Sequence, residues 1–222
     1  AQHLNNEVWY PIVFAGILAL NENYVTRCEK QFFTNGENLR IDQSALNIET
    51  RREQAKGKAW SKKHGFIEEE FNFTSGTLNT ASAFRFNQGK IEAKVSLQQT
   101  NQIVHGLSLK GEQITPHIDL IKTGKGNGYE VRYIPKDNGS NMISHKVKGV
   151  NINDKYFIHS LEWNEKELIW YLNNIEVARE SHQLNGEELY INLASILEKQ
   201  PENLPASFKV DWIKVYKKQA EV

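Results

Sequence analysis

Short apolar runs of β type, separated by Gly, Asn, Asp and Pro, recur along the chain, and helical periodicity is nearly absent. In QGKIEAKVSL, Ile91, Ala93, Val95 and Leu97 fall on one face of an extended chain, and Lys90, Glu92, Lys94 and Ser96 on the other. That alternation predicts an antiparallel strand buried on one side. LIWYL and IEVARE flank Asn173-Asn174, residues that tolerate the positive φ of a tight primed turn, so this stretch predicts a hairpin. A second tight turn is expected over residues 164–166. LRIDQSALNIE predicts a further strand pair, with Leu39 and Ile41 before its turn and Leu46 and Ile48 after it. SFKVDWIKVYKK is apolar on both faces for several residues and predicts a central strand covered on both sides. Residues 124–128, GKGNG, read as a loop. EQAKGKAWSKKHG reads as a polar loop that borders a groove and carries Trp60. Only SHQLNGEE and ASILEKQPENL offer short helical turns, and neither sustains an amphipathic stripe.

Composition narrows the class without changing it. A chain of 222 residues suits one sandwich or barrel, and no repeat, linker or low-complexity tract divides it, so a single domain over residues 1–222 is expected. Lys plus Arg number 27 and Asp plus Glu number 27, with no long block of one sign, which argues against nucleic acid as a partner. The apolar run over residues 8–20 is interrupted by Pro11 and is shorter than the roughly twenty residues a spanning helix needs, so it reads as a buried strand region. The first residues carry neither an initiator Met nor a signal-peptide pattern and read as a mature or trimmed chain. Cys28 stands alone, which excludes an internal disulfide and reads as a small buried apolar residue.

In order along the chain stand NGENLRIDQSALNIETRRE, FNFTSGTLNT, FRFNQGKIEAKVSL, HIDLIKT, FIHSLEWNEKELIWYLNN, LYINLA and FKVDWIKVYK. This series, over roughly residues 36–217, resembles glycoside hydrolase family 16, the laminarinase and lichenase group. The resemblance implies an all-β, concanavalin-like β-jelly-roll sandwich of two antiparallel sheets, with a concave groove for a β-glucan or related polysaccharide. It also implies a secreted, periplasmic or cell-surface location, in a monomer or as part of a larger glycan-uptake assembly. The signature of the family is Glu-x-Asp-x-x-Glu, with the first Glu as nucleophile, the Asp as its neighbour and the second Glu as acid/base. The matching segment here reads His117-Ile118-Asp119-Leu120-Ile121-Lys122, so the outer two positions are His117 and Lys122 and only Asp119 is a carboxylate.

A retaining glycosidase needs two carboxyl groups about 5–5.5 Å apart, one to attack the anomeric carbon and one to protonate the leaving oxygen. Imidazole at 117 and ammonium at 122 supply neither, and the expectation is a non-catalytic carbohydrate-binding domain. The alternatives are a hydrolase with relocated carboxylates, Glu112 or Glu130 beside Asp119, and a protein-interaction domain with a closed groove. The stretch IVHGLSLK before the signature lacks the tryptophan usual in the family, which removes an aromatic platform for a sugar ring.

The candidate ligand-binding residues are His105, His117, Asp119, Lys122, His145, Asn192 and Trp60. Period-2 geometry puts His117 and Asp119 on one strand face, and Lys122 joins them only if a bulge shifts the register. Asp119 and Lys122 form either an ion pair in the cleft that binds hydroxyls or a plain charge pair. The histidines and Asp119 match no compact metal spacing, so no metal site is expected among them. His159, by its match to FIHSLEW, is read as structural, and Asn192 in YINLA matches a position near the groove. Arg51, Arg52 and Arg85 offer planar forks to hydroxylated or carboxylated sugars, or simply solvated salt bridges. No cofactor is expected. The resemblance leaves room for a structural calcium ion near Asp211, although one carboxylate is not a site for an ion that takes six to eight oxygens.

Overall fold

The computed structural model describes residues 4–13, 22–25, 29–113, 115–124, 126–136, 141–184 and 186–218, all in strands, turns and loops. Cys28 and residues 14–20 of the early apolar run lie outside the described residues. Within residues 8–13 of that run, only Tyr10 makes a β-bridge, to Asn79.

Two sheets face each other. The ten-stranded sheet runs in the order β15 (Ile175–Ser181), β14 (Glu167–Leu172), β13 (Tyr156–Trp163), β8 (Gly89–Leu97), β17 (Ala206–Lys217), β4 (Ala45–Ser61), β5 (Gly65–Ser75) and β2 (Phe32–Phe33). Two further strands, β1 (Tyr24–Val25) and β3 (Leu39–Asp42), also pair with β4. The seven-stranded sheet runs β12 (Ile143–Val147), β11 (Tyr129–Ile134), β10 (His117–Lys122), β9 (Ile103–Lys110), β16 (Leu189–Leu197) and β6 (Thr77–Asn79), with β7 (Arg85–Phe86) also on β16. Between them lies one core, to which the first sheet gives Ile48, Ile91, Val95, Leu161, Trp170 and Phe208 and the second gives Leu107, Leu109, Ile118, Val131, Ile191 and Leu193.

The predicted elements form where side-chain period and turn chemistry agree. β8 buries Ile91, Ala93 and Val95 as expected. Asn173 and Asn174 hold φ of 48° and 66° between β14 and β15, and Gln43 and Ser44 hold 47° and 67° between β3 and β4. The side chain of Asn164 accepts the Lys166 and Glu167 amides and fixes the turn into β14.

Three expectations are corrected. EQAKGKAWSKKHG is not a loop, because β4 continues through Trp60 to Ser61 and turns back into β5, forming a long hairpin arm. β17 is central, between β8 and β4, but Lys209 and Lys214 are exposed, so it is covered on one side only. The stretches expected to turn helically around Ser181 and Leu197 are instead strand ends, of β15 and β16.

Candidate functional site

The outer face of the seven-stranded sheet is assembled by register. Inner positions of β10 and β11, Ile118, Val131 and Tyr133, join the core, which turns His117, Asp119, Glu130 and Arg132 outward. Opposite residues in neighbouring strands share a face. Arg132, Asp119, Ser108, Asn192 and Asn79 therefore form one cross-sheet row. His117, Lys110, Tyr190 and Arg85 form the row beside it.

Lys122 reaches this face through a β-bulge. Asp119 opposes Ser108 and Ile121 opposes Leu107, so β10 has one extra residue between them. Leu120 and Ile121 both turn into the core, and Lys122 lands opposite Gly106 and Glu130 on the outer face. The carbonyl of Asp119, beside the bulge, accepts the indole Nε1–H of Trp170 from the facing sheet at 3.0 Å. That bond satisfies a buried polar group and ties the bulge to the core.

Asp119 is only 3% exposed, and each of its carboxylate oxygens has a partner. His117 Nε2 lies 2.7 Å from Oδ1, and Arg132 Nε donates to Oδ2 at 2.6 Å. Burial by itself raises the Asp119 pKa, but the charge and hydrogen bonds of His117 and Arg132 outweigh it and hold the carboxyl below its ordinary value. The expected Asp119–Lys122 pair is thus replaced by an Asp119–Arg132 pair. Lys110 is half-buried, and burial pushes its ammonium pKa down, against an opposing pull from Asp119 and Glu29.

Of the seven candidates, the structure brings four together on the floor: His117, Asp119, Lys122 and Asn192. Three lie elsewhere. His105 is fully buried on the inner face, its Nδ1 2.8 Å from the Ser195 hydroxyl and its ring against Phe208 of the facing sheet. Its neighbour Gly106 lies on the outer face opposite Lys122, so strict alternation forces the imidazole inward. His145 shares the inner face with Val131 at the sheet edge and meets Glu180 of the other sheet at 2.7 Å. Trp60 sits 45% exposed on the hairpin arm, edge-on to Phe66, which in turn packs on Tyr24.

The structural reading of His159 fits its position, buried against Tyr129 in the core. Glu112 is engaged by Arg85, whose guanidinium also lies over the ring of Tyr190. Glu130 stands across from Lys122 and accepts the Ser144 hydroxyl at 3.4 Å. Asp211 is ion-paired with Lys94 at 2.7 Å. Among the described residues no group of three His, Cys, Asp or Glu is placed to hold a metal ion.

Arg132, Lys110, Ser108, Tyr190 and Asn79 are floor residues that the sequence reading did not single out. The outward alternation of Glu130 and Arg132 in YEVRYI was the available signal for the first of them, once β11 is paired with β10. A concavity of ≈ 850 Å³ lies elsewhere, beside the hairpin arm, lined in part by Arg52, Gln54, Phe71, Asn72 and Gln200. We place the candidate site on the β10 floor instead, because polar side chains from five strands share one face there around a buried carboxylate that two of them bind.

No family model matches the chain. The clotting factor G alpha subunit of Tachypleus tridentatus is 23% identical over 212 residues, which cover 85% of this chain and 29% of that protein, so the chain spans under a third of its length. The laminarinase catalytic domain of Thermotoga maritima MSB8, solved with cetyltrimethylammonium bromide, superposes with a TM-score of 0.76 at 20% identity, covering 98% of this chain and 94% of that one. A non-specific endo-β-1,3(4)-glucanase from glycoside hydrolase family 16 gives a TM-score of 0.75 at 16% identity, covering 97% and 86%. The fold is therefore the two-sheet jelly roll of the family-16 laminarinases, as the sequence resemblance implies.

Proposed function

We propose that on this laminarinase-type jelly roll the chain is a non-catalytic polysaccharide-binding domain, with its ligand lying across β9, β10, β11 and β16. One observation carries the reading. Asp119 has both carboxylate oxygens engaged, and the resemblance to the family signature puts His117 and Lys122 at the positions of its two reacting carboxylates. A carboxyl held below its ordinary pKa is ionised near neutral pH and has no proton to give a leaving oxygen. With His117 and Arg132 on its oxygens and little exposure, it is also poorly placed to attack an anomeric carbon. What remains is a row of hydrogen-bonding groups, Arg132, Ser108 and Asn192, suited to sugar hydroxyls.

The ligand class we favour is a β-1,3- or mixed-linkage glucan or a related polysaccharide, since the solved structures of the same fold include a laminarinase and an endo-β-1,3(4)-glucanase. Such a domain works outside the cytoplasm, at the cell surface or secreted, where polymeric glycans are met. Calorimetric titration with laminarin, lichenan, agarose and carrageenan oligosaccharides tests the reading. Saturable binding weakened about tenfold by Asn192→Ala is expected. No binding of any of them at millimolar concentration would remove it.

A further inference from the structure

The groove floor carries more positive groups than its own carboxylates engage. Lys110, Lys122 and Arg132 surround Asp119 on three adjacent strands. Asp119 is taken up by His117 and Arg132. Lys110 and Lys122 are half-buried and make no ion pair or side-chain hydrogen bond among the described residues, Lys110 feeling only the longer-range pull of Asp119 and Glu29. Glu130 faces Lys122 in register but is not within ion-pair distance of it.

Many cations elsewhere in the molecule are matched. Lys58 meets Glu22, Lys90 meets Glu92 and Glu162, Lys94 meets Asp211, and Lys218 meets Glu165. A solvated lysine at the surface needs no partner, whereas a half-buried ammonium keeps only part of its hydration, and an arriving anion makes up the rest. Lys122 lies opposite Gly106, four residues along β9 from Lys110, so the two lysine positions are about 13 Å apart at the strand rise of ~3.3 Å per residue. Arg132 stands between these rows with only its Nε committed to Asp119, and its Nη1 contacts just the Met142 sulfur, at 3.8 Å.

We propose that the missing counter-ions belong to the ligand, and that the groove takes an acidic glycan carrying carboxylate or sulfate groups on more than one of its sugars. One anion sits at Lys110, another at Lys122, and the outer nitrogens of Arg132 bind between them. This rests on the glycan-binding reading above and narrows its ligand class. The Asp119 row lies between the two lysine positions, which is why a polymer with repeated charge fits better than a lone acidic sugar.

The test is calorimetric titration of the whole chain with three probes of matched length: neutral β-1,3-glucan oligosaccharides, the same oligosaccharides sulfated, and a uronate oligosaccharide. Each is measured at low and high salt on the wild type and on Lys110→Met, Lys122→Met and Lys214→Met. Lys214 lies on the outer face of the opposite sheet, over Trp212, and controls for general charge attraction. Thermal melts check that each variant is folded. At low salt one of the acidic probes is expected to bind at least about tenfold more tightly than the neutral one, with an advantage that shrinks as salt screens it. Each groove substitution should cut that advantage several-fold, and Lys214→Met should leave it unchanged. Which acidic probe wins separates sulfate from carboxylate. Equal binding of neutral and acidic probes, or an advantage that survives both groove substitutions, would overturn the acidic-ligand inference and leave the glycan-binding reading intact. Failure of every probe to bind would overturn both.

Discussion

Asp119 shows how one buried carboxylate organises the floor. Its two partners come from different strands, so removing one leaves a charge in a site that water barely reaches. Arg132→Met is expected to destabilise the fold by about 3 kcal/mol in urea titrations. Adding Asp119→Asn to it should cost much less than the sum of the two single changes, because they share one interaction. Two buried histidines contribute to the loss of stability in acid. Burial lowers His105 to about 4, with a smaller opposing effect from its bond to the Gln98 carbonyl, and lowers His159 to about 3. Both folded values lie below the ordinary imidazole value of about 6.5, so the unfolded chain binds more protons between them. Their contribution is fully present above about pH 6.5 and is lost as pH falls toward 4 and 3, and His159→Phe should flatten that slope in melting temperature against pH. Much of this residue-level detail was not legible in the sequence. HIDLIK displays its charges, but whether Asp119 meets Lys122 or Arg132 depends on the register of a strand ten residues away. His105 was misplaced although its own strand carries the signal: Leu107 and Leu109, two and four residues on in IVHGLSLK, share its face and mark that face as the buried one.

At the scale of the element, the β10 bulge decides the chemistry. Without it Lys122 would point into the core, and the indole bond from Trp170 to the Asp119 carbonyl holds it in place. Trp170→Phe removes that donor and leaves a buried carbonyl unpaired, with an expected cost of about 1–3 kcal/mol in denaturant titrations and a loss of affinity that tracks Lys122. The hairpin arm has its own constraint. A Cβ on Gly57 would stand 2.2 Å from the Phe32 ring, which stacks on Phe71, so Gly57→Val should destabilise by about 1–3 kcal/mol and loosen residues 32–33 first in hydrogen exchange. Strands with clean alternation and Asn-bearing turns were legible, because side-chain period and turn chemistry are local. The arm was read as a loop because Lys, Gln and Gly dilute its alternation, and what makes it a strand is pairing with β5, a non-local cause.

For the whole molecule, the order and spacing of the matched segments carried the fold, since a jelly roll is specified by many weak strand signals in sequence. The location of the candidate site is the one that the signature segment marks. Its wider composition did not, because Lys110, Ser108, Arg132, Asn192 and Asn79 meet only when five strands are set side by side. The balanced charge of the chain conceals the uneven floor in the same way, since charges matched elsewhere cancel those left unmatched in the groove. The claim that matters most is that this groove holds a glycan and does not cut it. Prolonged incubation with each glycan that binds, followed by reducing-end quantification and chromatography of the products, measures that directly. The expected result is full recovery of intact glycan, with no release above a protein-free control. Release of new reducing ends by the wild type, abolished by Asp119→Ala in a variant that still folds, would contradict it.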